Sequence, residues 1–153
     1  LPFGNGAERV LRNQQVGGHF ANINFNVHTN AHLFRGMLEG IVYSLRYGIE
    51  VMEEMGMKPK VIRAGHANLF FSEVFRTALA TCANTQIELY QTDGAQGAAR
   101  GAAIGIGALD TDSAFQGLEK IKEIEPDLAS QAAYEAAYQK WKRLLEVRLK
   151  YGG

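Results

Sequence analysis

The 153-residue chain carries 16 basic and 16 acidic side chains, with 46% hydrophobic and 21% charged residues, the composition of one folded domain with a real core rather than of a disordered segment. Zero net charge removes the electrostatic case for nucleic acid or an anionic membrane as a partner. A lone cysteine, Cys82, excludes an internal disulfide, and with no apolar run of membrane length and no signal-peptide pattern a cytoplasmic location is expected.

The opening LPFGNGAER is turn-rich, lacks a methionine and reads as the continuation of a longer polypeptide. Residues 22–27, NINFNV, alternate with Ile23, Phe25 and Val27 on one side, the period of a half-buried strand. From Thr29 to Met55 the residues Phe34, Met37, Leu38, Ile41, Leu45, Ile49, Met52 and Met55 recur at helical spacing. Thr29 or Asn30 caps that helix, and Gly56 and Pro59 stop it. Gly36, Gly40, Ser44 and Gly48 form a smooth stripe on it, predicting a closely packed neighbour.

Residues 60–64 read as a short buried strand, the AGH that follows as a turn, and Ser72 as the cap of a helix whose Val74, Phe75, Ala78, Leu79 and Cys82 share a face. That face makes Cys82 a core residue and not a nucleophile. QIELY at 86–90 alternates as a strand and TDG at 92–94 is a turn. Gly97, Ala98, Gly101, Ala102 and Gly105 then give a helix with a small-residue face, predicted to lie close to a sheet or ligand. A helix over 112–124, a break at Pro126 and a helix over 128–150 with Tyr134, Tyr138, Trp141, Leu145 and Leu149 as its stripe complete an α/β pattern.

In VIRAGHANLFF, residues 61–71, a buried strand turns abruptly from β-branched to small residues. Either an ordinary turn needs the glycine, or backbone there approaches a nucleotide phosphate. DGAQGAARGAA at 93–103 follows the next strand, and right-handed crossovers put both turns on one sheet edge, a shallow floor for a flat, phosphate-bearing ligand. His28 and His32 have the i, i+4 spacing of a metal pair, but no third ligand accompanies them and no metal site is expected.

Nearly the whole chain resembles the C-terminal part of the FGGY carbohydrate kinase family. LPFGNGAER is similar to that family's LPxxxGER segment. HLFRGMLEGIVYSLRYGIEVMEEMGMKPKVIRAGH is similar to its long helix, connection and strand into the adenosine motif. DGAQGAARGAAIGIG is similar to its Gly-x-Ala-x-Gly-Ala-Ala helix, and the tail with Tyr134 and Tyr138 to its closing helix. These segments occur in the family's order, which is far more specific than any single glycine motif.

The resemblance implies part of an actin-like, ribonuclease H-like ATPase domain with a helical C-terminal tail. Residues 1–110 would be the partial nucleotide-binding lobe and 111–153 a helical extension packed on it. It implies ATP and Mg²⁺ as cofactors, a small sugar as substrate, D-xylulose foremost, and a missing N-terminal lobe as partner. The catalytic aspartate is expected upstream of this chain, which alone is then inactive. The alternatives are a kinase for ribulose, rhamnulose, fuculose or glycerol, or a non-catalytic nucleotide-binding actin-like protein. By position, Ala64, Gly65 and His66 correspond to the phosphate-and-ribose floor. Asn68 and Ser72 compete for the adenine side, because this chain departs from the family by about three extra residues at Leu69 to Phe71. Edges exposed at NINFNV and LPFG predict self-association into a homo-oligomer.

Overall fold

Helical spacing between Phe34 and Met55 is realised as α1, Asn30–Glu54, in the computed structural model, which describes residues 1–6 and 8–151. Ala7, within LPFGNGAER, and Gly152 and Gly153 lie outside the described residues. His32 Nδ1 accepts the Thr29 N–H at 3.2 Å, securing the start of α1. Gly56, at φ +83°, donates its N–H to the Glu53 carbonyl at 2.9 Å and ends it.

The helix turns Val42 and Tyr43 inward, against α2 (Glu73–Ala83) and α5 (Gln131–Tyr151). Most of the apolar stripe read from the sequence lies away from them, with Phe34 65% and Met55 69% exposed and Met37, Leu45 and Met52 exposed between them, while Leu38, Ile41 and Ile49 are half-buried and Ile41 packs on the core. The small stripe has no close neighbour either: a Cβ at Gly36, Gly40 or Gly48 would meet no atom within 4 Å. Periodicity locates an amphipathic face but not what covers it, and among the described residues α2 and α5 occupy the opposite side.

The NINFNV segment is a turn and not a strand. The N–H groups of Val27 and His28 both reach the Asn24 carbonyl, at 3.1 and 2.8 Å, and Asn26 N–H reaches Asn24 Oδ1 at 3.0 Å. Asparagine side chains that bond locally compete with a sheet ladder, and here they win. At the LPFG start, β1 (Pro2–Phe3) pairs antiparallel with β2 (Gly17–Gly18) in a two-stranded sheet.

A second sheet has the order β3-β4-β5, with β3 (Val61–Gly65) and β4 (Gln86–Tyr90) parallel and joined through α2. The third strand, β5 (Lys120–Ile124), pairs antiparallel with β4 and replaces the helix expected over 112–124. Only α4, Thr111–Ala114, is helical there, and Gly117 at φ +75° then turns the chain. KIKEI reads as a strand because β4 has a free edge to fill, pairing Ile124 with Ile87 and Lys122 with Leu89. The core lies between this sheet and the helices, built on Phe75, Leu79, Ile87, Leu89, Tyr138 and Leu145.

The expected shared face of α2 is present, with Phe75, Ala78, Leu79 and Cys82 buried and Val74 exposed. Burial pushes the Cys82 thiol up to about 12. The final helix begins at Gln131, three residues later than expected, because Asp127 holds the preceding turn. Its Oδ2 accepts from Ser130 Oγ at 2.6 Å, while its own N–H donates to the buried Thr81 Oγ1 at 3.0 Å.

Candidate functional site

Parallel pairing of β3 with β4 sets Gly65 opposite Tyr90, so both strands leave the sheet at one edge, as the crossover rule predicts. The first turn returns at once: His66 N–H donates to the Tyr90 carbonyl and Ala67 N–H to the Gly65 carbonyl, each at 2.9 Å. In the second, Thr92 N–H donates to the Tyr90 carbonyl at 2.8 Å, and Asp93 Oδ1 accepts the Gln96 N–H at 2.9 Å to cap α3, Gly94–Gly105. Arg100 of α3 reaches back to Thr92 Oγ1 at 2.9 Å.

An open cleft of about 640 Å³ lies over this edge. Arg63, Ala64, Gly65, Tyr90 and Thr92 form one side, and Thr111, Asp112, Phe115 and Leu118 the other. The second wall was missed in the sequence because 112–124 reads as a helix. Tyr90 and Thr92 carry a usable signal, since the strand end and turn opposite a parallel AGH turn must face the same space.

Ala64 and Gly65 are the two sequence-predicted site residues that line the cleft. A Cβ on Gly65 would sit 2.5 Å from the Thr92 carbonyl oxygen, so the two turns themselves crowd this glycine. The His66 ring packs edge-on against Phe71, centroids 4.9 Å apart. Asn68 is exposed at φ +51°, a left-handed position that asparagine tolerates, and opens the 3₁₀ turn Asn68–Phe71 that houses the extra residues.

Ser72 caps α2, its Oγ accepting the Phe75 N–H at 3.3 Å. Ser72→Ala is therefore expected to cost about 1 kcal/mol in chemical denaturation, the usual value of a lost N-cap. Among the described residues the glycines on the small face of α3 have no close neighbour, since a Cβ at Gly97, Gly101 or Gly105 would meet no atom within 4 Å. Of the two expected neighbours, a sheet or a ligand, the sheet is therefore not the one these glycines lie against.

Below the cleft, Arg63 Nε donates to Glu88 Oε2 at 2.9 Å, Tyr90 Oη donates to the same oxygen at 2.8 Å, and Lys120 Nζ lies 3.4 Å from Oε1. The hydrogen bond from Arg63, with that from Tyr90, holds the Glu88 carboxyl down at about 2, against its ordinary 4.5. A depressed carboxylate contributes stability that is complete above its unfolded-state value and lost as pH falls through its folded one. Stability is expected to decline from pH 4.5 toward about 2, and Glu88→Gln to flatten that decline in acid-titrated denaturation.

His28 and His32 are taken up locally, Nδ1 of the first accepting the Asn24 N–H at 3.0 Å and Nδ1 of the second that of Thr29. Among the described residues no three His, Cys, Asp or Glu side chains group closely enough to hold a metal. Among them, too, no helix is long and apolar enough to cross a membrane.

Together the parallel β-α-β unit, the turns sharing one edge and the closing helix form part of an actin-like, ribonuclease H-like ATPase domain with a helical C-terminal tail. Xylulose kinase from Rhodospirillum rubrum superposes with a TM-score of 0.71 at 26% identity, over 88% of this chain and 28% of that one. A xylulose kinase from Brucella ovis gives 0.72 at 25% identity, over 86% and 27%. In sequence the chain is 31% identical to xylulose kinase of Escherichia coli over 97% of its own length and 31% of that protein. It is 30% identical to L-xylulose/3-keto-L-gulonate kinase of the same organism, over 78% and 24%. No family profile matches the chain. Over most of its length the chain is thus similar to xylulose kinases of the FGGY carbohydrate kinase family, consistent with their C-terminal portion. It spans between 24% and 31% of the length of these two curated relatives.

Proposed function

We propose that the chain is the nucleotide-binding part of an ATP-dependent carbohydrate kinase that phosphorylates D-xylulose to xylulose 5-phosphate. The observation that carries this reading is the cleft over the β3–β4 edge, floored by Ala64 and Gly65 and about 640 Å³ in volume, within the roughly 300–1,000 Å³ of ordinary small-ligand sites. Ala64 and Gly65 put little side chain between backbone and ligand, which suits a phosphate-bearing group. His66, Asn68 and Ser72 are assigned to the rim of the site, beyond its floor.

ATP supplies the transferable phosphoryl group when bound, and this chain's part is to position it. The described residues do not themselves fit Mg²⁺, because Asp112 is the one carboxylate on the cleft walls. The sugar-activating aspartate and the second lobe are assigned to the rest of a longer polypeptide. The partial nucleotide lobe is read as extending past residue 110, because residues 111–118 supply the second cleft wall and β5 completes the sheet, which leaves the closing helix α5 as the extension packed on it, in a cytoplasmic enzyme.

The test has two arms. ATP titrated into this chain should bind weakly in competition with ADP, and a coupled assay for ADP release with D-xylulose should show no turnover by the chain alone. Turnover of roughly 1–100 s⁻¹, the range of kinases, would overturn the assignment of the missing groups. Absence of any nucleotide binding would overturn the site. The relationship to a kinase named for L-xylulose and 3-keto-L-gulonate supports a second reading, in which another small sugar is the acceptor. Parallel assays with L-xylulose, ribulose and glycerol on the full-length enzyme separate the two.

A further inference from the structure

The loop joining the cleft floor to α2 is held by a side chain that no part of the site yet uses. Arg76, on the first turns of α2, is 7% exposed. Its Nη1 donates to the Phe70 carbonyl at 2.8 Å and to the Phe71 carbonyl at 3.3 Å. Nε is buried without a partner, and among the described residues no carboxylate lies within ion-pair distance, 4.0 Å, of the guanidinium.

Burying an arginine without a counter-ion is costly, and a hydrophobic residue fills the same volume at less cost. What the apolar residue cannot do is donate to two carbonyls at the end of a 3₁₀ turn. That turn follows Gly65 after His66 and Ala67, and its last residue, Phe71, packs against the ring of His66, the backbone N–H of which is fixed on the Tyr90 carbonyl. A path of direct contacts therefore runs from Arg76 through Phe71 and His66 to Tyr90, which lines the cleft beside its floor.

We infer that Arg76 is a positioning residue for the nucleotide site, fixing the 66–71 turn at the rim of the cleft. The inference rests on the nucleotide reading of that cleft. Charge-assisted hydrogen bonds are stronger and shorter than neutral ones, and two on one nitrogen pin both distance and direction. Ser72 caps α2 at the far end of the turn, so the clamp and the cap leave it little freedom.

The test uses the whole 153-residue chain and two readouts, amide hydrogen exchange and ATP titration. In Arg76→Met, exchange of amides 67–72 should accelerate at least about tenfold while those of 78–83 change less than about threefold, since only the local opening is altered. The dissociation constant for ATP should rise about fivefold or more, and Arg76→Lys should recover most of both changes because it keeps a cationic donor.

If Arg76→Met does not fold, Arg76→Gln, whose polar but uncharged amide ends two atoms short of the Nη1 position and so loses both carbonyls, takes its place with the same expectations. Faster exchange with unchanged ATP affinity would overturn the positioning role while leaving the nucleotide site intact. Unchanged exchange would overturn the clamp. If the unaltered chain binds no ATP, the nucleotide reading fails and this inference with it, whatever the exchange shows.

Discussion

Gly65→Val is expected to lower the melting temperature by roughly 5–10 °C, equivalent to about 2–3 kcal/mol in a domain of this size. The cause is internal. A Cβ at residue 65 would lie 2.5 Å from the Thr92 carbonyl oxygen and 3.1 Å from its carbon, both backbone atoms, and 3.4 Å from the Thr92 methyl. Thr92 cannot simply step aside, because its N–H is fixed on the Tyr90 carbonyl and its hydroxyl on Arg100. The substitution must therefore separate the two turns that define the edge. Gly65→Ala should show the same direction with a smaller loss. Differential scanning calorimetry decides the matter, and a Val variant melting within a degree or so of the unaltered chain would mean that the turns part freely.

This outcome changes what a nucleotide-binding assay on such variants measures. From the sequence, a glycine at the end of VIRAG is equally a turn glycine or a floor for phosphate. The structure adds a third account, one turn crowding another, and loss of ATP binding in Gly65→Val would not by itself place a ligand there. The Arg76 substitutions act at the rim, where the exchange readout separates local from global change, and are the cleaner probe of the site.

Sequence reading succeeded where one short-range cause dominates. The Ser72 cap, the buried face with Cys82 and the break after α1 each follow from a few neighbouring residues. It succeeded again for the common edge of the two turns, because the handedness of a parallel crossover leaves little choice. It failed where the outcome depends on a distant partner. KIKEI is a strand because β4 accepts it, and NINFNV is a turn because its asparagines bond locally before any strand is offered. The stripe on α1 has helical period, yet nothing in that period says that α2 and α5 pack on the other side. The cleft wall at Thr111 to Leu118 was lost with the misread helix, and with it half of the site.

Trp141→Ala is expected to cost about 3–5 kcal/mol, the range for removing a large buried aromatic side chain. The indole is 7% exposed and stands at the meeting point of three segments. Its ring centroid is 6.0 Å from Phe3 of β1, 6.3 and 6.2 Å from Tyr43 and Tyr47 of α1, and 5.9 Å from Tyr138 on its own helix α5. Deleting it removes contacts that hold the opening strand and the closing helix to α1 at once, and little in that aromatic cluster can collapse to fill the space. Trp141→Phe should cost much less. It keeps a ring in the cluster and removes Nε1, a buried donor without a partner, whose desolvation the folded chain otherwise bears at about 1–3 kcal/mol. Urea denaturation followed by far-ultraviolet circular dichroism measures both, since the only tryptophan is the one removed. A loss below about 1 kcal/mol in the Ala variant would show that α5 is anchored elsewhere, and that this cluster does not hold the closing helix to β1 and α1.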